Sequence, residues 1–290
     1  MIGQLNMQGK DKVQVAIDRI RQFEPEEGYF LAFSGGKDSV VIKRLADMAG
    51  VKYDAHYNIT TVDPPELVKF IKQVHPDVIR ERPETNMWDL IVEKGIPPTR
   101  LARYCCQEFK ETKSDGRLTI LGIRWAESNR RKETWGVIQP TGRDREKTRS
   151  EGIAIMNMDN DTGRKMIENC LLKGTVVLHP IIDWTDEEVW EFIRAEKIPY
   201  CTLYDEGFGR LGCIGCPMAD KQRFRQFERW PHHFKRYLRA FERMAQRRER
   251  EGKENDNDAL GWMAWWMQCK KNDPRLLALV EKTKTPVAVE

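Results

Sequence analysis

The sequence predicts an α/β protein, a doubly wound and mostly parallel sheet with a helical extension at its carboxyl end. Three observations carry this. Apolar strand-like runs alternate with helical patterns through the first two thirds of the chain, a glycine-rich turn joins the first strand to the next helix, and the last third shows three- and four-residue apolar spacing.

The elements follow in order. Val13, Val15, Ile17, Ile20 and Phe23 mark an opening helix, which Glu27-Gly28 ends before the apolar run Tyr29 to Phe33, read as a buried strand. After the turn Ser34-Gly35-Gly36, Val40, Val41, Leu45 and Met48 mark a second helix closed by Gly50, followed by a β-like segment from Lys52 to Ile59. Strand, loop, helix and strand make a βαβ unit. Helical patterns recur at 65–74, 86–94 and 105–113, with strand-like runs at 77–80, 118–123 and 175–178. Such alternation argues for a mostly parallel sheet covered by helices.

Residues 140–174 are polar and contain glycine, and are expected to form an inserted excursion or lid. Thr185 with Glu188 has the spacing of a capping box and opens another helix. From Phe224 onward, Phe227, Phe234, Tyr237, Leu238, Phe241 and Met244 recur at helical spacing among basic residues. The expected division is 1–217 for the α/β domain and 218–290 for a basic helical region.

The chain has 290 residues, 40% of them hydrophobic and 32% charged, enough for a sizeable core and too apolar for disorder. No apolar run approaches the length of a membrane span and the first residues are too polar for a signal peptide, so a cytoplasmic location is expected. Net charge is +4, yet residues 219–253 hold 12 Lys/Arg against 5 Asp/Glu. This excess marks a candidate surface for a polyanion, carried by Arg223, Arg225, Arg229, Lys235, Arg236, Arg239 and Arg243. Phe227, Trp230, Phe234, Tyr237 and Phe241 could stack on bases, but at helical spacing they are expected to pack inward.

Ser34-Gly35-Gly36-Lys37-Asp38-Ser39 lies between a strand and a helix amino terminus, where backbone amides and the helix dipole favour an anion. The glycines let backbone approach phosphate oxygens, Ser34 and Ser39 add hydroxyls, and Lys37 adds charge. The spacing is not that of a Walker A loop. This segment resembles the PP-loop of the adenine nucleotide α-hydrolase-like enzymes, among them ATP pyrophosphatases, tRNA thiolation enzymes and PAPS reductases. The SGGKDS spelling is closer to members that split ATP between its α and β phosphates. The resemblance implies that Ser34, Gly35, Gly36, Lys37, Asp38 and Ser39 hold pyrophosphate and Mg²⁺.

Gly122-Ile123-Arg124-Trp125-Ala126-Glu127-Ser128-Asn129-Arg130-Arg131 resembles the G-x-R-x-x-E-S-x-x-R stretch of the PAPS reductase branch. Arg124 and Arg131 are expected at a strand's carboxyl end, where open α/β sheets bind ligands, as further phosphate contacts. His179 to Trp190 resembles the same branch's L-x-P-I-x-D-W-x-x-x-x-V-W signature, in which Trp184 and Trp190 read as core.

Seven cysteines in a reducing compartment read as free thiols or ligands. Cys105-Cys106 and Cys213-x-x-Cys216 are two clustered pairs whose four thiols suit Zn²⁺ or a [4Fe–4S] cluster, and unligated thiols remain a third reading. Adjacent cysteines are awkward for a zinc knuckle. The pattern resembles that of the iron-sulfur members of the family, which implies a [4Fe–4S] cluster on Cys105, Cys106, Cys213 and Cys216. Cys170, Cys201 and Cys269 read as small buried side chains, with Cys269 also weighed as a nucleophile beside Lys270 and Lys271.

The expected function is therefore ATP-dependent. The enzyme would cleave ATP to AMP and pyrophosphate to activate an acceptor for sulfur transfer, with Lys37, Asp38, Arg124 and Arg131 as catalytic residues. A cysteine desulfurase or thiol carrier would donate sulfur, DNA or RNA is an acceptor to test, and a homo-oligomer is allowed. The sequence lacks the Glu-Cys-Gly-x-His nucleophile segment of APS and PAPS reductases, which weighs against the alternative of sulfonucleotide reduction. A non-catalytic nucleotide-sensing subunit is the third reading.

Overall fold

The computed structural model describes residues 11–111, 114, 116–141, 175–219, 222–253 and 257–284. The expected excursion at 140–174 falls outside them except for residues 140 and 141, as do Cys170 and Lys221. In chain order the elements are α1 (Lys12–Gln22), β1 (Tyr29–Ala32), α2 (Lys37–Ala49), β2 (Tyr53–Asn58), α3 (Pro65–Val74), β3 (Ile79–Glu81), α4 (Met87–Lys94) and the single turn α5 (Tyr104–Cys106). They continue as β4 (Thr119–Ile120), α6 (Asn129–Thr134), β5 (Ile138–Thr141), β6 (Thr175–Leu178), α7 (Asp186–Ala195), α8 (Gln222–Arg229), α9 (Pro231–Arg250), α10 (Ala259–Met267) and α11 (Pro274–Lys284). Among the described residues no helix is long and apolar enough to cross a membrane.

The chain packs as two compact units, one of residues 1–57, 66–81 and 113–209, the other of 58–65, 82–112 and 210–290. This partition follows packing and is not the linear one of 1–217 and 218–290.

The first unit carries the sheet, in the order β3-β2-β1-β4-β6-β5. β1 pairs in parallel with β2 and β4, β4 pairs in parallel with β6, and β5 closes the edge antiparallel to β6. The strand at Ile138–Thr141 has no clear apolar alternation, and pairing with Val176 to Leu178 makes it a strand. Tyr29, Phe30, Leu31, Ile120, Val177 and Leu178 form the buried centre of the sheet. Helices α1 and α2 pack on each other, as do α2 and α7. Each begins by a local rule: the Asp11 side chain caps α1, Thr185 and Glu188 form the expected capping box of α7, and α2 starts on Gly36 without a side-chain cap.

The strand expected over 118–123 is shorter. Leu121 N–H still donates to the Leu178 carbonyl of β6 at 2.9 Å, and the backbone then leaves the sheet, Trp125 N–H donating to the Ile182 carbonyl at 2.8 Å. Strand order reverses between the parallel neighbours β1 and β4, with β2 and β3 added on one side and β6 and β5 on the other, so the loops after these two strands open at the switch point of the sheet, where such folds bind ligands. The sequence places Ser34–Ser39 on one loop and Gly122–Arg124 on the other.

The second unit is helical. Phe227, Phe234, Tyr237 and Phe241 are buried together with Trp266, so the rings of the basic stretch form core, as their helical spacing predicts. Tyr237 donates its hydroxyl to the Ile214 carbonyl at 3.0 Å and Trp266 its indole N–H to that of Pro98 at 2.7 Å. The helix expected over 105–113 differs: after one turn the backbone widens into a π-type turn over Gln107–Glu111, a form common at functional sites.

Gly122 tests the switch-point geometry. A Cβ there would stand 2.9 Å from Asp38 Cβ and 3.1 Å from the Asp38 backbone, which has no room to yield. Gly122→Ala should lower stability by about 1–3 kcal/mol in denaturant melts, and a variant as stable as the parent would contradict this packing.

Candidate functional site

The phosphate loop is shaped by local necessity. Gly35 has φ +71° and lies where a Cβ would be 2.7 Å from Leu67 Cδ1 and 2.8 Å from Ile71 Cδ1, so only glycine fits. Ser39 Oγ donates to the Gly36 carbonyl at 2.8 Å, and Ser34 Oγ accepts from the Gly36 amide at 3.3 Å. Lys37 opens α2, and its amide donates to the Tyr204 hydroxyl at 2.8 Å.

Four charged side chains converge beside this loop. Arg124 is only 1% exposed; its Nε donates to Asp38 Oδ1 at 2.6 Å, its Nη2 to Asp186, and its Nη1 to the Trp184 carbonyl at 3.3 Å. Lys37, 6% exposed, places Nζ 3.5 Å from Asp38 Oδ2 and 3.4 Å from Asp186 Oδ1. Two cations and two carboxylates thus balance. Burial pushes the Asp186 carboxyl up, but the hydrogen bond from Arg124 and the charge of Lys37 outweigh it and hold the group below the usual carboxylate range.

Arg131 lies on the helix that follows the turn carrying Arg124. It pairs with Glu127, whose carboxylate also accepts the Arg124 amide at 3.2 Å, and so braces the turn that carries Arg124. Sequence reasoning missed Asp186 and Tyr204. Asp186 reads there as an ordinary acidic residue in a helix's first turn, and Tyr204 carries no motif.

All four cysteines of the expected cluster lie in the second unit and are half-buried. Arg103 Nη2 donates to Cys106 Sγ at 3.4 Å, and the Cys213 thiol donates to Thr60 Oγ1 at 3.4 Å. Gly215, at φ +76° and with no room for a Cβ against the Phe227 ring, makes the tight turn between Cys213 and Cys216. Cys105 and Cys106 compete for charge: their mutual hydrogen bond pushes Cys106 down, aided by Arg103 and Lys110, and pushes Cys105 up. The thiolate form of Cys213 favours a charged Lys110 and raises it above its ordinary value, and the thiolates of Cys106 and Cys216 act in the same direction.

Among the described residues no three His, Cys, Asp or Glu side chains are gathered tightly enough to hold a metal ion as they stand. The donor set nevertheless fits an iron-sulfur cluster: four soft thiols feel one another's charge, and two cations offset it. Cys201 is buried as expected, whereas Cys269 is half-buried and its thiol is raised by burial, the opposite of an activated nucleophile.

The basic stretch is largely occupied within its own unit. Arg243 pairs with Asp89, Lys235 donates to the Thr283 carbonyl, and Arg223 is buried on the Trp266 ring with Nη1 on the Trp266 carbonyl at 2.7 Å. Arg225, Arg236 and Arg239 remain exposed.

Two outcomes follow. Arg124→Gln should cost about 3 kcal/mol in denaturant melts, because it strands a carboxylate pair beside a buried lysine; a loss under about 0.5 kcal/mol would mark the network as dispensable. In metal-free reduced protein, iodoacetamide with peptide mapping should modify Cys106 ahead of Cys105 near neutral pH, and the reverse order would contradict the charge distribution.

The chain is similar in sequence to several known proteins. An uncharacterized protein of Methanocaldococcus jannaschii is 28% identical over 229 residues, covering 71% of this chain and 41% of the relative, and a second from the same organism is 26% identical over 242 residues, covering 81% and 51%. The chain spans about half the length of these curated relatives. An adenosine 5'-phosphosulfate reductase of Pseudomonas aeruginosa is 29% identical over 216 residues, covering 69% of this chain and 71% of the relative. Among solved structures, a phosphoadenylyl-sulfate reductase from Candida auris in phosphate complex gives a TM-score of 0.44 at 13% identity over 72% of this chain and 96% of that one. An FMN adenylyltransferase of Candida glabrata gives 0.42 at 17% identity over 70% and 64%. Residues 28–219, from the start of β1 through both switch-point loops to the second cysteine pair, match the phosphoadenosine phosphosulfate reductase domain, and the chain belongs to that family.

Proposed function

We propose that the protein is a Mg²⁺-dependent PP-loop enzyme that cleaves ATP between its α and β phosphates and transfers the adenylyl group to an acceptor, preparing it for sulfur transfer. One observation carries this reading: Asp38 and Asp186 neutralise Lys37 and Arg124 at the loop. A site for a naked anion would keep its cations unpaired. Carboxylates beside a phosphate loop instead suit a nucleotide that arrives with a divalent cation, which takes one or two carboxylates together with phosphate oxygens.

An acceptor oxygen attacks the α-phosphorus, the bond from that phosphorus to the bridging oxygen breaks, and pyrophosphate leaves with the electron pair. The acceptor's proton passes to solvent. Lys37 and Arg124 would meet the charge that develops on the phosphates, and Asp38 with Asp186 would hold a divalent cation; catalysis would then be positioning and charge neutralisation. A sulfur nucleophile then displaces AMP from the activated acceptor. Cys105, Cys106, Cys213 and Cys216 would hold a [4Fe–4S] cluster, which when bound supplies a one-electron carrier or an attachment point for sulfur. A cysteine desulfurase or thiol carrier supplies the sulfur, and the exposed Arg225, Arg236 and Arg239 are the residues through which a DNA or RNA acceptor would bind.

A second reading, sulfonucleotide reduction, is favoured by the identity to a Pseudomonas adenosine 5'-phosphosulfate reductase. Anaerobically purified protein given labelled ATP, APS or PAPS with Mg²⁺ separates the two. The proposal expects AMP and pyrophosphate from ATP, lost in Lys37→Ala/Asp38→Ala. Sulfite from APS or PAPS with intact ATP would establish the second reading, and no turnover of any of the three would leave a nucleotide-sensing role.

A further inference from the structure

Tyr204 stands at the amino end of α2 without any sequence motif to announce it. It closes a single 3-10 turn, Thr202–Tyr204, and its ring is held edge-on by Trp190, with ring centres 5.1 Å apart at 84°. Tyr200 flanks it at 6.4 Å. Rings held in this way fix where the phenol oxygen lies.

That oxygen accepts the Lys37 amide at 2.8 Å and stands 3.4 Å from where a Cβ on Gly36 would be. It is therefore inside the mouth of the phosphate loop, on the amide that a phosphate would otherwise reach at the start of the helix. Its own proton, however, is given to no acceptor among the described residues. Burial pushes the Tyr204 phenol above its ordinary value, so the group is a neutral donor wherever the neighbouring carboxylates are ionised.

The geometry points to Tyr204 as a further phosphate-binding residue: its hydroxyl accepts the Lys37 amide and donates to a phosphate oxygen of the bound nucleotide. The helix amino terminus then reaches the ligand through the phenol rather than directly. Hydrogen bonds linked in this way polarise one another, and the last one, to an ionised oxygen, is charge-assisted. Such a link needs an acceptor-only, multiply charged ligand, which is what the pyrophosphate part of a nucleotide offers. The inference rests on the loop binding nucleotide phosphates as proposed above.

The test is calorimetric titration of the full chain with inorganic pyrophosphate and Mg²⁺. Tyr204→Phe keeps the ring packing and removes only the hydroxyl. It should weaken pyrophosphate binding by about tenfold, the scale of one charge-assisted hydrogen bond, with a melting temperature close to the parent's. Tyr204→Leu should weaken it at least as much. Unchanged affinity would overturn the assignment. Tighter binding would also overturn it, since it would mean that the hydroxyl blocks the loop rather than serving it. Amide exchange at Lys37 in the parent protein gives an independent reading: protection should persist when pyrophosphate binds, and its loss would show that the phenol is displaced. A parent protein that binds neither pyrophosphate nor ATP would remove the loop's proposed role, and the assignment of Tyr204 with it.

Discussion

The buried guanidinium of Arg124 is the constraint around which the candidate site is organised. A cation that is 1% exposed is costly to bury unless its charge is met, and here Asp38 and Asp186 meet it from two different helices while the Trp184 carbonyl takes a third N–H. Asp38 lies in the first turn of α2 and Asp186 in the first turn of α7, so one side chain ties both helix starts to the loop after β4. Gly122 permits the approach, since any side chain there would collide with Asp38. The position of the phosphate loop is in this sense set from outside the loop.

In the proposed function the same network governs the chemistry. With Lys37 and Arg124 each facing carboxylates, the site has little net charge, and its attraction for an anion depends on what else arrives. A metal that engages Asp38 and Asp186 would release the two cations to the phosphates. In the proposed function such a site would favour a metal-bound nucleotide over a free one, because the cation takes carboxylates together with phosphate oxygens.

Much of the first unit was legible in the sequence because its signals are local. The run Tyr29 to Phe33, the glycines at 35 and 36, Gly50 at the end of α2 and the capping box at Thr185 each specify backbone within a few residues. The family resemblance rested on Ser34–Ser39, Gly122–Arg131, His179–Trp190 and the pattern of Cys105, Cys106, Cys213 and Cys216. What the sequence did not reveal was long-range partnership. The Tyr204 hydroxyl meets the Lys37 amide across 167 residues and Asp186 meets Arg124 across 62, and nothing in the spacing of residues encodes either meeting. The edge strand β5 was missed for a related reason, since pairing with β6 rather than its own pattern makes it a strand. In the second unit, helical spacing foretold that the rings of the basic stretch face inward, yet the charge count overstated its free surface, because several of the counted cations have protein partners such as Asp89 and the Thr283 and Trp266 carbonyls. The expectation of a thiol-ligated cluster rested on pattern, and the structure adds the charges of Arg103 and Lys110, which help to hold Cys106 below the ordinary thiol range.

In the proposed function the carboxylates at the loop are there for a metal-bound nucleotide. Equilibrium titration of the protein with ATP, once in Mg²⁺ and once in EDTA, tests it most directly. Binding should be at least about tenfold weaker in EDTA, with most of that difference lost in Asp186→Asn. Equal affinity in the two solutions would show that Asp38 and Asp186 serve only to hold Arg124, and would contradict the account.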